Sequence, residues 1–272
     1  MSDEIVSILE AKRVFEALSE GKRIDGRRFD EYRPVEIETN VISNANGSAK
    51  VRIGETELIA GLKAELVSPF PDMPDQGIIS VSLEITALAD PSHLTGPPSE
   101  KAIEIARIVD RGFREGNAID LYKYAYIPGK SVLGFFVDIY VLSDDGNIID
   151  AAGIATLAAL KSARIPKFKV EGENVVPTGE YTTIELKTEP LPVTFYKIRD
   201  KLIVDATKTE EILSDSWLVI STGSDENIYA AQKGGFGTLK FDEVMYCIDR
   251  SIQIGKRLRE KINEVIKNGK KN

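Results

Sequence analysis

The sequence predicts an α+β protein built from two halves of similar organisation. Short segments in which apolar and polar residues alternate are typical of strands, and they cluster at 34–86 and again at 181–231. Helical patterns follow each cluster, at 97–116 and 149–162 in the first half and at 239–267 in the second. Strands followed by helices, twice over, indicate an α+β chain with two related βα halves.

Composition and charge exclude several classes of protein. The chain has 272 residues, enough for one large domain or two smaller ones. Its net charge of −8 argues against a stand-alone, non-specific nucleic-acid binder, although a local basic patch is compatible with an acidic body. The single cysteine, Cys247, cannot form an intramolecular disulfide, and no apolar stretch approaches the ~18 residues of a membrane span. We therefore expect a cytoplasmic protein without membrane contact.

The first half is expected to follow an N-terminal helix. An amphipathic pattern over 3–20 predicts this helix, and we assign residues 1–22 to it and 23–165 to the first half. The apolar stripe of the helix comprises Ile5, Ile8, Leu9, Phe15 and Leu18. The predicted strands of the first half lie at 34–39, 49–53, 56–66, 78–86 and 131–142. Residues 90–98, before the next helix, read as a loop.

A loop-rich join at 166–180 is expected to separate the halves, because prolines and glycines interrupt regular structure there. Residues 181–272 form the second half, which ends in a long helix at 239–267. Its predicted strands lie at 181–187, 193–198, 201–205, 216–221 and 227–231. The predicted core stripe of the final helix is Phe241, Met245, Ile248, Ile252, Leu258, Ile262 and Ile266.

The helix at 97–116 has the most informative surface. Ser99 and Gly116 are placed to cap it. Its apolar face comprises Ala102, Ile105, Ala106, Val109 and Phe113. Arg107, Arg111 and Arg114 fall on another face, within roughly 60° of one another. Such a row of guanidiniums could bind phosphates, but it could also pair with the acidic residues three or four positions away on a solvated surface. From the residues alone, the ion-paired surface is favoured.

Two other features could hold a ligand. Asp205 ends the apolar segment 202–204, and Glu211 follows six residues later. A carboxylate at a strand end and another in the next loop can hold Mg²⁺, yet an ordinary acidic turn explains the same residues and is favoured. The glycine-rich turn 234–237 precedes a helix, as phosphate loops do, but it lacks the Gly-Lys-Ser/Thr ending of a P-loop, so a simple turn is favoured there too.

Taken together, the segments resemble the ribonuclease PH superfamily over nearly the whole chain. The matching motifs are Ile24-Asp25-Gly26-Arg27, Tyr32-Arg33-Pro34, Asn46-Gly47-Ser48-Ala49 with Gly54-Glu55-Thr56, Ala102-Ile103-Glu104-Ile105-Ala106-Arg107, Gly146-Asn147, and Leu202-Ile203-Val204-Asp205 with Glu211. The resemblance implies an RNase PH-like fold, with two βα halves of ribosomal-S5-domain-2-like topology, and assembly into six-membered rings. Active members of the superfamily degrade RNA from its 3′ end, using inorganic phosphate and a divalent metal to release nucleoside diphosphates.

The chain also departs from the pattern of active members. They carry Gly-Ser-Arg before the Ala-rich helix, where it holds the attacking phosphate, whereas this chain has Gly146-Asn147-Ile148. Paired arginines at the start of the arginine helix are replaced by Glu100 and Lys101, and a carboxylate repels phosphate. The resemblance therefore implies that Asp205 and Glu211 are a vestigial acidic pair, that no residue is catalytic, and that no metal or cofactor is held.

This combination is most similar to the non-catalytic RNase PH-like ring subunit of the archaeal exosome. The resemblance implies a catalytic RNase PH-like sister subunit in a hexameric ring of three heterodimers, together with RNA-binding cap proteins and single-stranded RNA. In that family the arginine helix grips RNA phosphates at the sister's active site, which assigns RNA binding to Arg107 and Arg111 and, one turn further, to Arg114. Two alternatives stay open: the chain is itself an active phosphate-dependent 3′-to-5′ exoribonuclease, or it is a small-molecule enzyme that holds phosphate at 234–237.

Overall fold

A mixed five-stranded sheet forms the first half of the molecule. The computed structural model describes residues 6–89 and 96–269. The strands of this sheet are β1 (Val35–Thr39), β2 (Gly47–Ile53), β3 (Thr56–Val67), β4 (Ile78–Ile85) and β5 (Val132–Ser143). They lie in the order β1-β2-β3-β5-β4, in which β4 and β5 pair in parallel and the other pairs are antiparallel. The five strands predicted for the first half are confirmed.

A two-stranded hairpin connects the halves. Its strands are β6 (Ile165–Glu171) and β7 (Asn174–Thr182), so the prediction of a loop-rich join at 166–180 is wrong. Both strands are edges, and an edge strand tolerates a proline that cannot donate to the ladder. The pairing register shifts between Pro166 and Phe168, where the hairpin accommodates the first of its prolines.

An antiparallel four-stranded sheet forms the second half. Its strands are β8 (Leu191–Ile198), β9 (Lys201–Val204), β10 (Ser216–Thr222) and β11 (Ile228–Gly235), in the order β11-β10-β8-β9. The predicted strand at 181–187 is wrong beyond Thr182, because only Leu186 pairs there, in an isolated bridge to Ile119. The other four strands predicted for the second half are confirmed.

A buried helix lies between the two sheets. The helices are α1 (Ile8–Ser19), α2 (Glu100–Glu115), α3 (Ile148–Ser162), α4 (Lys208–Ile212) and α5 (Phe241–Gly269), with a short 3₁₀ helix at Leu121–Tyr124. Every residue of α3 from Ile148 to Leu160 is buried, and α3 packs on β2 and β3 on one side and on β8 and α5 on the other. A Cβ on Gly153 would lie 2.3 Å from the Pro192 ring, so this contact requires glycine. A helix that is apolar all round is a core helix, as the Ala-rich sequence predicts.

The N-terminal helix packs on the second sheet. Val14 and Leu18 are buried in a small apolar cluster with Tyr196, Ile198 and Ile203. The predicted burial of Ile8 and Leu9 is wrong, because their side chains are 88% and 75% exposed. The amphipathic period of α1 is present, but its buried side is centred on Val14 and Leu18. Ile5, also predicted in the stripe, lies outside the described residues, as do residues 90–95 of the predicted loop.

The predicted core stripe of the final helix is confirmed at Ile248, Leu258, Ile262 and Ile266 and is wrong at Phe241 and Met245. Cys247, Ile254, Leu258 and Ile262 face the core, whereas Phe241 and Met245 are 77% and 42% exposed. At about 100° per residue, Phe241 and Met245 lie about 120° and about 160° around the helix from Cys247.

Within residues 6–89 and 96–269, no helix is long and apolar enough to cross a membrane. The division of the chain at 22, 165 and 181 stays a prediction, because α3 joins both sheets in one core.

Candidate functional site

The arginine helix α2 presents Arg107, Arg111 and Arg114 to solvent. Ser99 caps its first turn, since the Ser99 hydroxyl accepts a hydrogen bond from the Ala102 amide at 3.2 Å, and Gly116 ends it. The predicted apolar face is buried against β4, β11 and α3. The structure therefore confirms the helix, its caps and its amphipathic arrangement.

The three arginines differ in their ion pairing. Arg114 is bound to Asp110 at 2.9 Å. Asp110 also accepts a hydrogen bond from the Val81 amide at 3.3 Å, and burial raises its pKa more than the charge of Arg114 lowers it. Arg107 and Arg111 form neither a hydrogen bond nor an ion pair with any residue in the described ranges. The ion-paired interpretation of this surface thus fits Arg114, while the guanidiniums of Arg107 and Arg111 face solvent.

An open groove runs between α2 and β11 beside these two arginines. Its volume is about 360 Å³, and it is lined by Glu100, Ile103, Glu104, Arg107, Arg111 and Gln232. Gln232 lies on β11 and donates its side-chain amide to the Glu104 carboxylate at 3.0 Å. The groove therefore combines two cationic side chains, Arg107 and Arg111, with three that carry hydrogen-bond acceptors, Glu100, Glu104 and Gln232. Its second wall belongs to β11, so sequence reasoning that treated α2 alone missed Gln232.

Asp205 is an internal ion-pair partner. Its carboxylate accepts hydrogen bonds from the Arg33 amide at 2.7 Å, from both ends of the Arg33 guanidinium at 2.7 and 3.0 Å, from Arg27 at 2.8 Å and from the Asn147 side chain at 2.8 Å. Burial raises the pKa of Asp205, but the hydrogen bonds and charges of Arg33 and Arg27 outweigh it and hold the pKa below its ordinary value. The carboxylate is fully engaged inside the protein.

The basic segment before β1 contributes the arginines that bind these buried carboxylates, Arg23, Arg27 and Arg33. Arg23 is buried and forms a bidentate pair with Glu210, one of whose bonds is 2.9 Å long, and it also donates to the Val204 carbonyl at 2.9 Å. The segment therefore clamps the start of the chain onto the end of β9, in the second half. Arg23, Arg27 and Arg33 were not among the predicted site residues. The Ile24-Asp25-Gly26-Arg27 motif marked the segment, but the carboxylates that join these arginines to the second half, Glu210 and Asp205, lie more than 170 positions away.

Glu211 occupies the N-terminus of α3. It accepts a hydrogen bond from the Asn147 amide at 2.6 Å and another from the Tyr196 hydroxyl at 2.5 Å. Asn147 also binds Asp205, so it links the two carboxylates predicted as an acidic pair. Burial raises the pKa of Glu211 more than Lys101 and Tyr196 lower it. The helix end that could receive a phosphate is thus filled by the protein's own carboxylate.

The cavity beside Glu211 is small and poor in positive charge. It measures about 250 Å³, and its lining residues are Lys101, Glu104, Ile105, Ile108, Ile148, Ile149, Tyr196, Glu211 and Trp217. Lys101 is 3.3 Å from Asp144 and 4.0 Å from Glu211. The residues do not fit a divalent metal: Asp205 has its oxygens bound to arginines, and the described ranges contain no cluster of three metal-ligating side chains.

A buried carboxyl group lies next to this network, in the first turn of α3. Asp150 accepts hydrogen bonds from the Tyr32 hydroxyl at 2.5 Å, the Thr194 amide at 3.1 Å and the Thr194 hydroxyl at 2.7 Å. Burial raises the pKa of Asp150 to about 6, even though these hydrogen bonds lower it. Asp150 thus joins β8 to α3, and the sequence analysis did not single it out.

The glycine-rich turn 234–237 is engaged in packing. A Cβ on Gly234 would lie 2.1 Å from the Trp217 ring, and the Gly237 amide donates to the Asp215 carbonyl at 2.7 Å. Gly234 and Gly235 belong to β11 rather than to a loop. The Gly237 amide, which a phosphate-binding loop would need as a donor, is therefore already bound within the protein.

Family models decide the relationship of the chain to known proteins. Models for the two domains of the 3′ exoribonuclease family, RNase PH, match residues 31–166 and 188–254. The chain belongs to this family. The RNase PH-like fold predicted from the motifs is thereby confirmed.

Relatives and solved structures agree with the family assignment. The chain is 44% identical to the exosome complex component Rrp42 of Thermococcus kodakarensis over 97% of each sequence, and 40% identical to that of Archaeoglobus fulgidus over 97% of this chain and 100% of the relative. It superposes with a TM-score of 0.86 on a chain of the Archaeoglobus fulgidus exosome with RNA bound to the active site, at 40% identity over 93% of this chain and 97% of that chain. A chain of an archaeal exosome core gives a TM-score of 0.83 at 38% identity, covering 94% and 96%.

Proposed function

We propose that this chain is a subunit of an archaeal exosome that binds RNA through α2 and does not itself catalyse phosphorolysis. Its extended identity to Rrp42 exosome components supports membership of such a complex. The observation that carries the RNA-binding role is the pair Arg107 and Arg111, exposed one turn apart and free of ion-pair partners within the described residues. Arg114, which is partly neutralised by Asp110, is the weaker contact.

Assembly with a catalytic RNase PH-like sister subunit, as a hexameric ring of three heterodimers with RNA-binding cap proteins, belongs to the same proposal. The exposed apolar side chains of Phe236, Phe241 and Met245 support it. Exposed apolar surface of this kind marks protein contact sites. The two aromatic residues and Met245 are thus better explained as a contact with another subunit than as core. The complex is proposed to act in the cytoplasm.

The non-catalytic role rests on the closed pocket of this chain. Asp205 is neutralised by two arginines, Glu211 fills the end of α3, and Gly146-Asn147-Ile148 offers neither hydroxyl nor guanidinium to a phosphate. Glu211→Gln keeps the acceptor for both of its hydrogen bonds and removes the charge. The complex reconstituted with the catalytic sister should then degrade RNA at the wild-type rate, within about twofold. A loss of roughly a hundredfold, as when a catalytic group is removed, would favour the alternative that this chain is itself an active exoribonuclease.

The RNA-binding role is tested by charge reversal on α2. Arg107→Glu with Arg111→Glu should slow RNA degradation by the reconstituted complex by about tenfold to a hundredfold, because charge-assisted contacts to two phosphates are replaced by repulsion. Lys256→Glu with Arg257→Glu is the matched control, since it makes the same charge change on an exposed face of α5. The control should leave the rate unchanged, and light scattering should show intact assembly for both variants. Equal slowing in both variants would contradict a site on α2.

A further inference from the structure

The groove between α2 and β11 contains hydrogen-bond acceptors beside the two arginines that are proposed to bind phosphate. Gln232 donates its amide nitrogen to Glu104, which fixes the amide and leaves its carbonyl oxygen as an acceptor. One oxygen of the Glu104 carboxylate accepts this bond, and within the described ranges no residue donates to the other. A phosphate gains nothing from such acceptors, and Glu104 repels it. The acceptors therefore suit a ligand that also brings hydroxyl or amino donors.

A ribonucleotide has both kinds of group. Its phosphate matches Arg107 and Arg111, and its ribose 2′-hydroxyl is a donor that deoxyribose lacks. Ile103, which is 48% exposed and lines the same groove, offers an apolar surface for a sugar or base. We propose that Glu104 and Gln232 accept hydrogen bonds from the 2′-hydroxyl of an RNA strand held by Arg107 and Arg111, so that this groove selects RNA over DNA. The inference rests on the proposed RNA-binding role of α2 and adds a basis for sugar selection.

Binding of three strands of one sequence tests the inference. The probes are single-stranded RNA, its uniformly 2′-fluoro analogue, which cannot donate from the 2′ position, and DNA. Affinities are measured for the complex reconstituted with its sister subunit, in phosphate-free buffer without divalent metal. Gln232→Leu removes the neutral acceptor, and Glu104→Gln removes the charge that repels phosphate. Glu104 is exposed and Gln232 is half-buried, and neither belongs to the apolar core.

The variants should lose the preference for RNA over the other two strands but should still bind a nucleic-acid strand. The preference for RNA over the 2′-fluoro strand should fall about fivefold to tenfold in each variant, as expected for the loss of one hydrogen bond, the larger value applying to the charged acceptor. Affinity for DNA should be unchanged in Gln232→Leu and should rise in Glu104→Gln, because a repulsive charge is gone. A structural role for the pair would instead lower the affinities for all three strands together, which would overturn the inference.

The charge-reversal variant on α2 separates this inference from the proposal on which it rests. If Arg107→Glu with Arg111→Glu weakens all three strands while Gln232→Leu and Glu104→Gln leave the RNA preference within about twofold of wild type, α2 binds RNA and the sugar selection is wrong. If the charge reversal leaves all three affinities unchanged, the RNA-binding role of α2 is itself wrong.

Discussion

Asp150 should make the stability of this chain fall as the pH rises, and Asp150→Asn should abolish that fall. The pKa of Asp150 is about 6 in the folded chain, against an ordinary value of 3.8. The folded state thus binds the proton more tightly than the unfolded state does. The stabilisation from this group is fully present below pH 3.8 and is lost as the pH rises through about 6. At about 1.4 kcal/mol per pH unit, the interval from 3.8 to about 6 corresponds to about 3 kcal/mol.

Asparagine keeps the shape of the Asp150 side chain and removes its charge. The asparagine carbonyl oxygen can accept hydrogen bonds from the Tyr32 hydroxyl and the Thr194 amide. The asparagine amide can donate to the Thr194 hydroxyl, which then accepts a hydrogen bond where it donates one in the wild type. Urea unfolding of wild type and Asp150→Asn at about pH 4 and about pH 7.5 gives two free-energy differences. The advantage of the variant over wild type should grow by about 2.5 kcal/mol between these values, because at pH 4 a small part of the stabilisation is already lost. An advantage that is the same at both pH values would show that Asp150 does not cause this pH dependence.

Tyr32→Phe provides an independent check on the cause. The hydrogen bond from Tyr32 lowers the pKa of Asp150, so its removal should raise that pKa further. The loss of stability should then extend to higher pH in Tyr32→Phe than in wild type. If the free energy of unfolding depends on pH in the same way in Tyr32→Phe and in wild type, a group other than Asp150 causes the dependence.

The remaining predictions concern the region where the two halves meet. Asp205→Ala leaves Arg27 and Arg33 without the carboxylate that both bind, so it should lower the free energy of unfolding by about 3 kcal/mol or more. The control Asp200→Ala, on an exposed side chain, should change this free energy by less than about 0.5 kcal/mol. Equal effects of the two substitutions in urea unfolding would show that the Asp205 ion pairs contribute little to stability. Gly146→Ala should lower it by about 2 kcal/mol or more, because Gly146 has a φ of +85° and a Cβ there would lie 2.6 Å from the Ala206 carbonyl oxygen; an unchanged urea midpoint would contradict this.

The sequence predicts elements well where local signals agree. The caps, the apolar period and the preceding prolines of α2 all indicate the same helix, and the structure confirms it. The final helix shows the limit of such signals. Apolar residues occur on more than one side of α5, so period alone cannot decide which side meets the core. Phe241 and Met245 are exposed, since within residues 6–89 and 96–269 no element covers them.

Polar contacts between distant parts of the chain were beyond sequence reasoning. Asp205 ends an apolar strand as a metal ligand does, and the pattern does not reveal that Arg33 and Arg27, 172 and 178 positions away, surround it. The same holds for Gln232, which is ordinary in sequence and meets Glu104 only because β11 packs against α2. The arginine row itself was predictable, since its members recur at helical spacing, but the sequence could not tell which arginines were paired.

The salt dependence of RNA binding tests the role of α2 most directly. Each phosphate contact to a single strand adds about 0.7 to the slope of log affinity against log salt concentration. Arg107→Gln with Arg111→Gln removes two contacts without adding repulsion, so the slope for the reconstituted complex should flatten by about 1.4, while Lys256→Gln with Arg257→Gln should leave it unchanged. Equal slopes and affinities for wild type and the α2 variant would mean that the two arginines form only a solvated surface.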